Sequence, residues 1–247
     1  MSYFLSFCVF LFSCHSANSS CETRETNLSI PTEKSTTIKE DTLKKGVDLS
    51  VKNPTLINML LIDSTIKVEL RYATSNNFMN QIMYDSITEL YLQKDVALKL
   101  AKAQTYLKKL YPTYSLLVYD GVRPLSVQQK MWDALDSIPV AERGKFLSNP
   151  KNGSVHNYGA AVDLTICDEN GVPLDMGAAY DEIGKIAYPS LEQEFLQKGL
   201  LTKQHIENRK LLRKVMSHAG FYNIPSEWWH FNSCSREEAK KRYELVR

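Results

Sequence analysis

Three short segments carry residue types that chemistry uses. Residues 154–163 read SVHNYGAAVD, which sets His156 in a glycine-flanked loop and, seven residues on, Asp163 inside an apolar run. Val162 and Leu164 flank that carboxylate, so it is expected to point into a partly dry cavity. Burying it is costly unless it is paired or bound to a metal. Gly159 and two alanines leave room for the backbone to pass close to a neighbour. Glu227-Trp228-Trp229-His230 brackets two of the three tryptophans with an acid and a base. In a regular strand positions 227 and 230 face opposite sides. Both reach one point only if the chain bends there, and Pro225 makes an irregular entry. The third segment, YDGVRP over residues 119–124, is expected to form a tight turn at Gly121 and Pro124 that projects Arg123 from a rigid base.

Taken singly, each segment has a plainer reading: a hydrogen-bonded loop histidine, a buried tryptophan platform, an arginine in a surface turn. Taken together, His156, Asp163 and His230 form a set of two imidazoles and one carboxylate that suits one Zn²⁺ per chain, with a fourth position for water. Glu227, beside His230, is then placed to take a proton from that water. Arg123 becomes a fixed cation able to stabilise the oxyanion of a tetrahedral intermediate.

The elements that must position these residues are mixed. Ile66, Val68 and Leu70 alternate with polar neighbours, which predicts a half-buried strand. Val96, Leu100, Ala103, Leu107 and Leu110 fall on one helical face that ends before Pro112. Leu116–Tyr119 predicts a short buried strand, and Pro124 with Ser126 opens another helix. Residues 160–166 are strand-like. A helix over about 204–219, with Leu212, Val215 and Met216 inward, is closed by Gly220, and Trp228–Asn232 is the last strand. The interleaving and the hairpin-like spacing predict an α+β domain, a central antiparallel sheet flanked by helices.

Composition sets the outer limits. The 247 residues are 43% hydrophobic and 23% charged, enough for one substantial domain that needs no disulfide staples. Thirty basic against 28 acidic residues gives +2, so no basic excess argues for a nucleic-acid partner. Residues 3–12 are apolar apart from Ser6, too short a run to span a bilayer but suited to a secretory signal over residues 1–13. Ser13-Cys14 resembles a bacterial lipobox, so Cys14 is the expected lipidation site, with plain cleavage as the competing reading. Residues 14–50 are too polar to offset the entropy of ordering and are expected to be a flexible tether. Residues 51–247 form the catalytic domain. The protein is thus expected to be exported to the periplasm and to touch a membrane only through its N-terminal lipid. Cys167 and Cys234 are expected to be small buried hydrophobes. His205 and His218 are expected to be surface or packing residues.

In order along the chain, YDGVRP, SVHNYGAAVD and EWWH resemble the zinc D-Ala-D-Ala dipeptidases of the VanX type, within the wider group of D,D-carboxypeptidase and Hedgehog-like zinc peptidases. RYATSNNF, DMGAAYD and NRKLLRKVMSHAGF extend the resemblance from about Arg71 to Phe231. It implies the Hedgehog/D,D-peptidase-like fold, a small D,D-dipeptide as substrate, His156, Asp163 and His230 as zinc ligands, Glu227 as base and Arg123 as transition-state arginine. It also implies that Tyr72 and Asp181 hold the substrate's free amine and that Ser154 lines the cavity. Members that trim peptidoglycan stems share the zinc and the base but, as a rule, not the YAT and AYD segments. A D,D-carboxypeptidase or L,D-endopeptidase on muropeptides, or a metal-stabilised cell-wall-binding module, are the alternatives. The vancomycin-resistance members act in the cytoplasm, so an exported relative is expected to scavenge or recycle D-Ala-D-Ala instead.

Overall fold

The computed structural model describes residues 46–247. The expected signal, the Cys14 lipidation site and most of the tether lie outside the described residues. Five strands form the central sheet: Lys67–Val68 (β2), Ser115–Asp120 (β4), Ala161–Cys167 (β5), Tyr222–Ile224 (β6) and Glu227–Asn232 (β7), in the order β2-β4-β5-β7-β6. Leu56–Asn58 (β1) and Tyr91–Gln93 (β3) pair separately, antiparallel. Among the described residues, every pairing is antiparallel except β2 with β4, which run parallel. The fold is α+β. The strand expected around Ile66–Leu70 shrinks to two residues, because the chain turns into a 3₁₀ segment at Arg71–Ala73.

Lys94–Leu110 (α1) and Lys203–His218 (α5) pack on each other, and α1 also lies against β4. Their inward residues, among them Leu100, Leu107, Leu212 and Val215, are fully buried. Leu125–Ala134 (α2), Val140–Arg143 (α3), Glu192–Gln197 (α4) and Arg236–Arg242 (α6) complete the helices. Alternation along the strands divides the sheet's two faces. Leu116, Val118, Val162, Leu164 and Ile166 enter the main core, whereas Leu117, Tyr119 and Cys167 form a small separate cluster. Asp163 lies on this second face. Cys167 and Cys234 are buried free thiols, as expected. His218 stacks on Tyr106, and His205 accepts the Thr202 N–H at the start of α5.

Two irregularities aim side chains at one place. The β4–β5 register slips between Val118 and Asp120, so that Asp120 pairs with Asp163 while Tyr119 stays with Leu117. Two consecutive residues of β4 thereby face the same side, the signature of a bulge. In the β6–β7 hairpin, Asn223 pairs with Phe231 and Ile224 with Glu227. The residues between are extra on β7, which supplies the bend that the EWWH spacing demanded.

Candidate functional site

Each chemistry-bearing residue is held by a different device. His156 sits in a 3₁₀ turn, Val155–Tyr158, capped by Ser154, whose hydroxyl accepts the His156 N–H while Asn157 Oδ1 accepts the Ser154 N–H. Gly159 ends that turn at φ +64°, and a Cβ there would lie 2.9 Å from Leu56 and Val122 side-chain carbons. The close approach inferred for this glycine is to β3, where Gln93 N–H donates to its carbonyl at 3.0 Å. Asp163 and His230 are direct cross-strand partners on β5 and β7, which brings their side chains together.

The three expected ligands meet. His156 Nε2 lies 3.1 Å from His230 Nδ1 and 3.2 Å from Asp163 Oδ1, and His230 Nδ1 lies 2.9 Å from Asp163 Oδ1. The outer ring nitrogens are already engaged. His156 Nδ1 donates to the Gly121 carbonyl at 2.8 Å, and His230 Nε2 donates to Asn232 Oδ1 at 3.0 Å. Because both acceptors are carbonyl oxygens, the inner nitrogens keep their lone pairs and face a carboxylate. Three groups able to donate electron pairs, with ligand atoms all within 4.8 Å of one another, could hold a metal ion. Ligands about 2.0–2.1 Å from a tetrahedral zinc sit roughly 3.3 Å apart, close to this spacing.

The YDGVRP segment differs from expectation. It forms no tight turn: residues 121–124 are buried and outside any turn, helix or strand, with Arg123 N–H donating to the His156 carbonyl at 3.1 Å. Gly121 is required for space, since a Cβ would come within 2.4 Å of Leu90 Cδ1. Arg123 is not a surface residue but 6% exposed. Its Nε and Nη2 donate to Asp120 Oδ2 at 2.9 and 2.5 Å, and Nη2 also lies 3.5 Å from Asp163 Oδ2. Asp120 in turn accepts from Tyr84 Oη and from the Gly121 N–H. Burial alone would weaken Arg123's protonation, but the Asp120 charge keeps it firmly cationic.

The remaining residues gather around the same space. Tyr72 Oη donates to Asp181 Oδ1 at 3.1 Å across 109 residues of sequence, while the buried Asp181 Oδ2 has no partner. Asp181 adopts φ +61° in the 175–183 loop. Its neighbour Tyr180 donates to Asp163 Oδ2 at 3.2 Å. One cavity of about 310 Å³ is lined by Tyr72, Arg123, Ser154, His156, Asp163, Asp181, Glu227 and His230 together. A family described as D-Ala-D-Ala dipeptidase, of the M15 peptidases, matches residues 53–246. The chain belongs to this family.

Its relatives include the D-alanyl-D-alanine dipeptidase of Escherichia coli K12, 32% identical over 176 residues, 71% of this chain and 83% of that one. The D-alanyl-D-alanine dipeptidase of Synechocystis is 30% identical over 176 residues, 60% of this chain and 71% of that one. Among solved structures, a vancomycin-resistance D,D-pentapeptidase, VanY, in complex with Zn(II) aligns over 62% of this chain and 79% of that one at 15% identity, with a TM-score of 0.38.

As a metallopeptidase of the dipeptidase family, this chain also uses residues that its motifs did not flag. Asp120, Tyr84, Tyr180 and Asn232 hold the arginine, the metal-site carboxylate and His230. Asp120 was legible as the acid of YDGVRP, but nothing in the spacing told that it would be the arginine's partner. The titratable groups are strongly perturbed. Desolvation first, and then the Asp163 charge, push Asp181 well above the usual aspartate value. Desolvation also raises Glu227, partly opposed by His230. Glu227 Oε2 nonetheless stays at the open rim, 3.9 Å from His230 Nδ1, with its side chain 36% exposed.

Proposed function

We propose that this chain hydrolyses the D-Ala-D-Ala dipeptide to two molecules of D-Ala, with His156, Asp163 and His230 holding one zinc ion. The observation that carries this reading is the single small cavity onto which base, arginine, ligand set and an unpartnered carboxylate all open. Its volume lies at the lower end for ligand pockets, about 300–1,000 Å³. Bound there, zinc supplies a Lewis acid that makes water ionisable near neutral pH.

The chain's own residues do the rest. Glu227 accepts the proton of the attacking water and returns it to the departing amine; its raised pKa suits both halves of that task. Arg123, fixed by Asp120, meets the oxyanion without reorganising. Asp181 and Tyr72 receive the substrate's ammonium. A buried carboxylate with one oxygen unpaired is a costly arrangement that an ammonium relieves. A peptide whose amine is blocked leaves that cost in place, which favours a free dipeptide over a muropeptide.

Purified protein incubated with D-Ala-D-Ala, and separately with a stem pentapeptide, tests this by detection of free D-Ala. Release from the dipeptide, abolished by a chelator and restored by zinc, is the expected result; release from the pentapeptide alone overturns it in favour of a carboxypeptidase. We propose further that the protein is exported, anchored through Cys14, and scavenges or recycles D-Ala-D-Ala. Mass spectrometry of the N-terminus checks the anchor. Vancomycin susceptibility with and without the gene checks the role, since a large protective effect contradicts recycling.

A further inference from the structure

A free dipeptide carries a carboxylate as well as an ammonium, and what reads the carboxylate rests on the dipeptidase reading above. Three cationic side chains besides the imidazoles line the cavity: Arg123, Lys145 and Arg236. Arg123 is held at the metal end, with Nε and Nη2 on Asp120, Nη1 on Gln128 at 3.3 Å and Nη2 3.5 Å from Asp163 Oδ2, which leaves its remaining N–H bonds for the oxyanion assigned to it above. Lys145 pairs with Glu142 and stands 68% exposed in solvent. Arg236 differs from both. It is half-buried, and among the described residues it has no ion pair and donates no side-chain hydrogen bond.

Its backbone is well fixed. Arg236 is the first residue of α6, which Ser235 caps: the Ser235 hydroxyl accepts the Glu238 N–H at 3.1 Å, and Glu238 Oε2 accepts the Ser235 N–H at 3.1 Å. α6 packs on the 3₁₀ turn that Ser154 opens and His156 occupies. Arg236 therefore enters the cavity from the Ser154 side, whereas Asp181 belongs to the 175–183 loop and bonds Tyr72. The Ser154 oxygen accepts the His156 N–H, so its O–H remains free to donate.

We propose that Arg236, with the Ser154 hydroxyl, binds the terminal carboxylate of the substrate and so restricts cleavage to peptides ending one residue beyond the scissile bond. A guanidinium holds a carboxylate through two parallel N–H donors, a geometry that an amide or a continuing chain cannot match. With Asp181 on the ammonium, the cavity measures the substrate between its two charges.

The test compares D-Ala-D-Ala with its C-terminal amide in the zinc-loaded wild type, Arg236→Met and Arg236→Lys. A charge-assisted pair predicts that Arg236→Met raises KM for the acid by about 10–100-fold with kcat nearly kept, leaves the amide unchanged, and erases the preference between them. Arg236→Lys should recover part of the preference. Equal losses on both substrates, or an undiminished preference in Arg236→Met, overturn the proposal. Absence of turnover in the wild type sinks the dipeptidase reading instead. In that event calorimetric titration of D-Ala-D-Ala into Glu227→Ala, with and without Arg236→Met, still decides: weaker binding supports the role of Arg236, and equal affinity ends it.

Discussion

The two ends of the cavity are built differently. At the metal end, Asp163 and His230 stand opposite each other on adjacent strands, and each imidazole is oriented by a carbonyl oxygen behind it. Little can move there without breaking sheet hydrogen bonds. At the amine end, Asp181 sits in a loop with left-handed backbone, held by one tyrosine hydroxyl and lacking a partner for its second oxygen. The first end gathers three possible metal ligands; the second leaves a buried carboxylate oxygen without a partner. In the function proposed above, chemistry falls on the sheet and recognition on a loop, the usual division between scaffold and connecting segment.

That contrast is broken most severely at the metal end. Glu227→Ala is expected to lower kcat by roughly 10²–10⁴-fold, as when a general base is removed, while metal content by mass spectrometry stays at the wild-type level. His156→Ala should instead lose the metal itself, since the ligand set is then incomplete. If Glu227→Ala keeps a near-normal rate, the assignment of the base is wrong. Next in size is Asp120→Ala, which strips the partner from a buried guanidinium. Removing one member of such a pair costs about 3–5 kcal/mol, visible as a drop in unfolding temperature; an unchanged melting point refutes the view of Arg123 as a locked cation.

At the amine end the effects should be smaller and of another kind. Asp181→Asn is expected to raise KM by about 10–100-fold, the worth of a charge-assisted hydrogen bond, with kcat less affected. It should also change how stability depends on pH. Asp181's folded pKa is raised above its usual 3.8, so the folded state holds the proton more tightly than the unfolded chain. This contribution to stability is present below about pH 3.8 and is lost as pH rises through the folded value. Melting curves of the metal-free protein should show that loss in the wild type and not in Asp181→Asn. Tyr72→Phe removes one hydrogen bond, worth about 1 kcal/mol. A few-fold rise in KM is expected, and an effect as large as that of Asp181→Asn would mean that the tyrosine touches the reacting centre.

The activity limb follows from Glu227. Its carboxyl is raised above the ordinary glutamate value of 4.5 by desolvation, so kcat/KM should fall on acidification at a pH higher than a solvated glutamate would give. A limb at the solvated value indicates another base.

How much of this the sequence reveals depends on the range of the interaction. The helices at 94–110 and 203–218 and the strands at 115–120, 161–167 and 227–232 follow from local periodicity, which is why they were legible. The β1–β3 pair was not, and β2 was legible as a strand but not in its two-residue length, because strands this short depend on partners far away in the chain. The meeting of His156, Asp163 and His230 was readable from residue types, since few arrangements tolerate an aspartate between valine and leucine. Asp120 as the arginine's partner was not, because it faces Asp163 only through a slip in register that no spacing announces. The depth of Arg123's burial was hidden for the same reason: the residues that enclose it, Tyr72, the His156 turn and Asp163, are remote in sequence.

The slip in β4 has a wider reach than the aspartate it redirects. Tyr119 and Asp120 are neighbours on one face, and they work in opposite directions. The Tyr119 ring lies 4.9 Å from Tyr180 and 4.5 Å beneath the Arg71 guanidinium, propping the loop that carries Asp181. Asp120 tethers the arginine. One surplus residue in a six-residue strand lets a single stretch of backbone serve both halves of the enzyme. A chain one residue shorter at that point would have to choose between them.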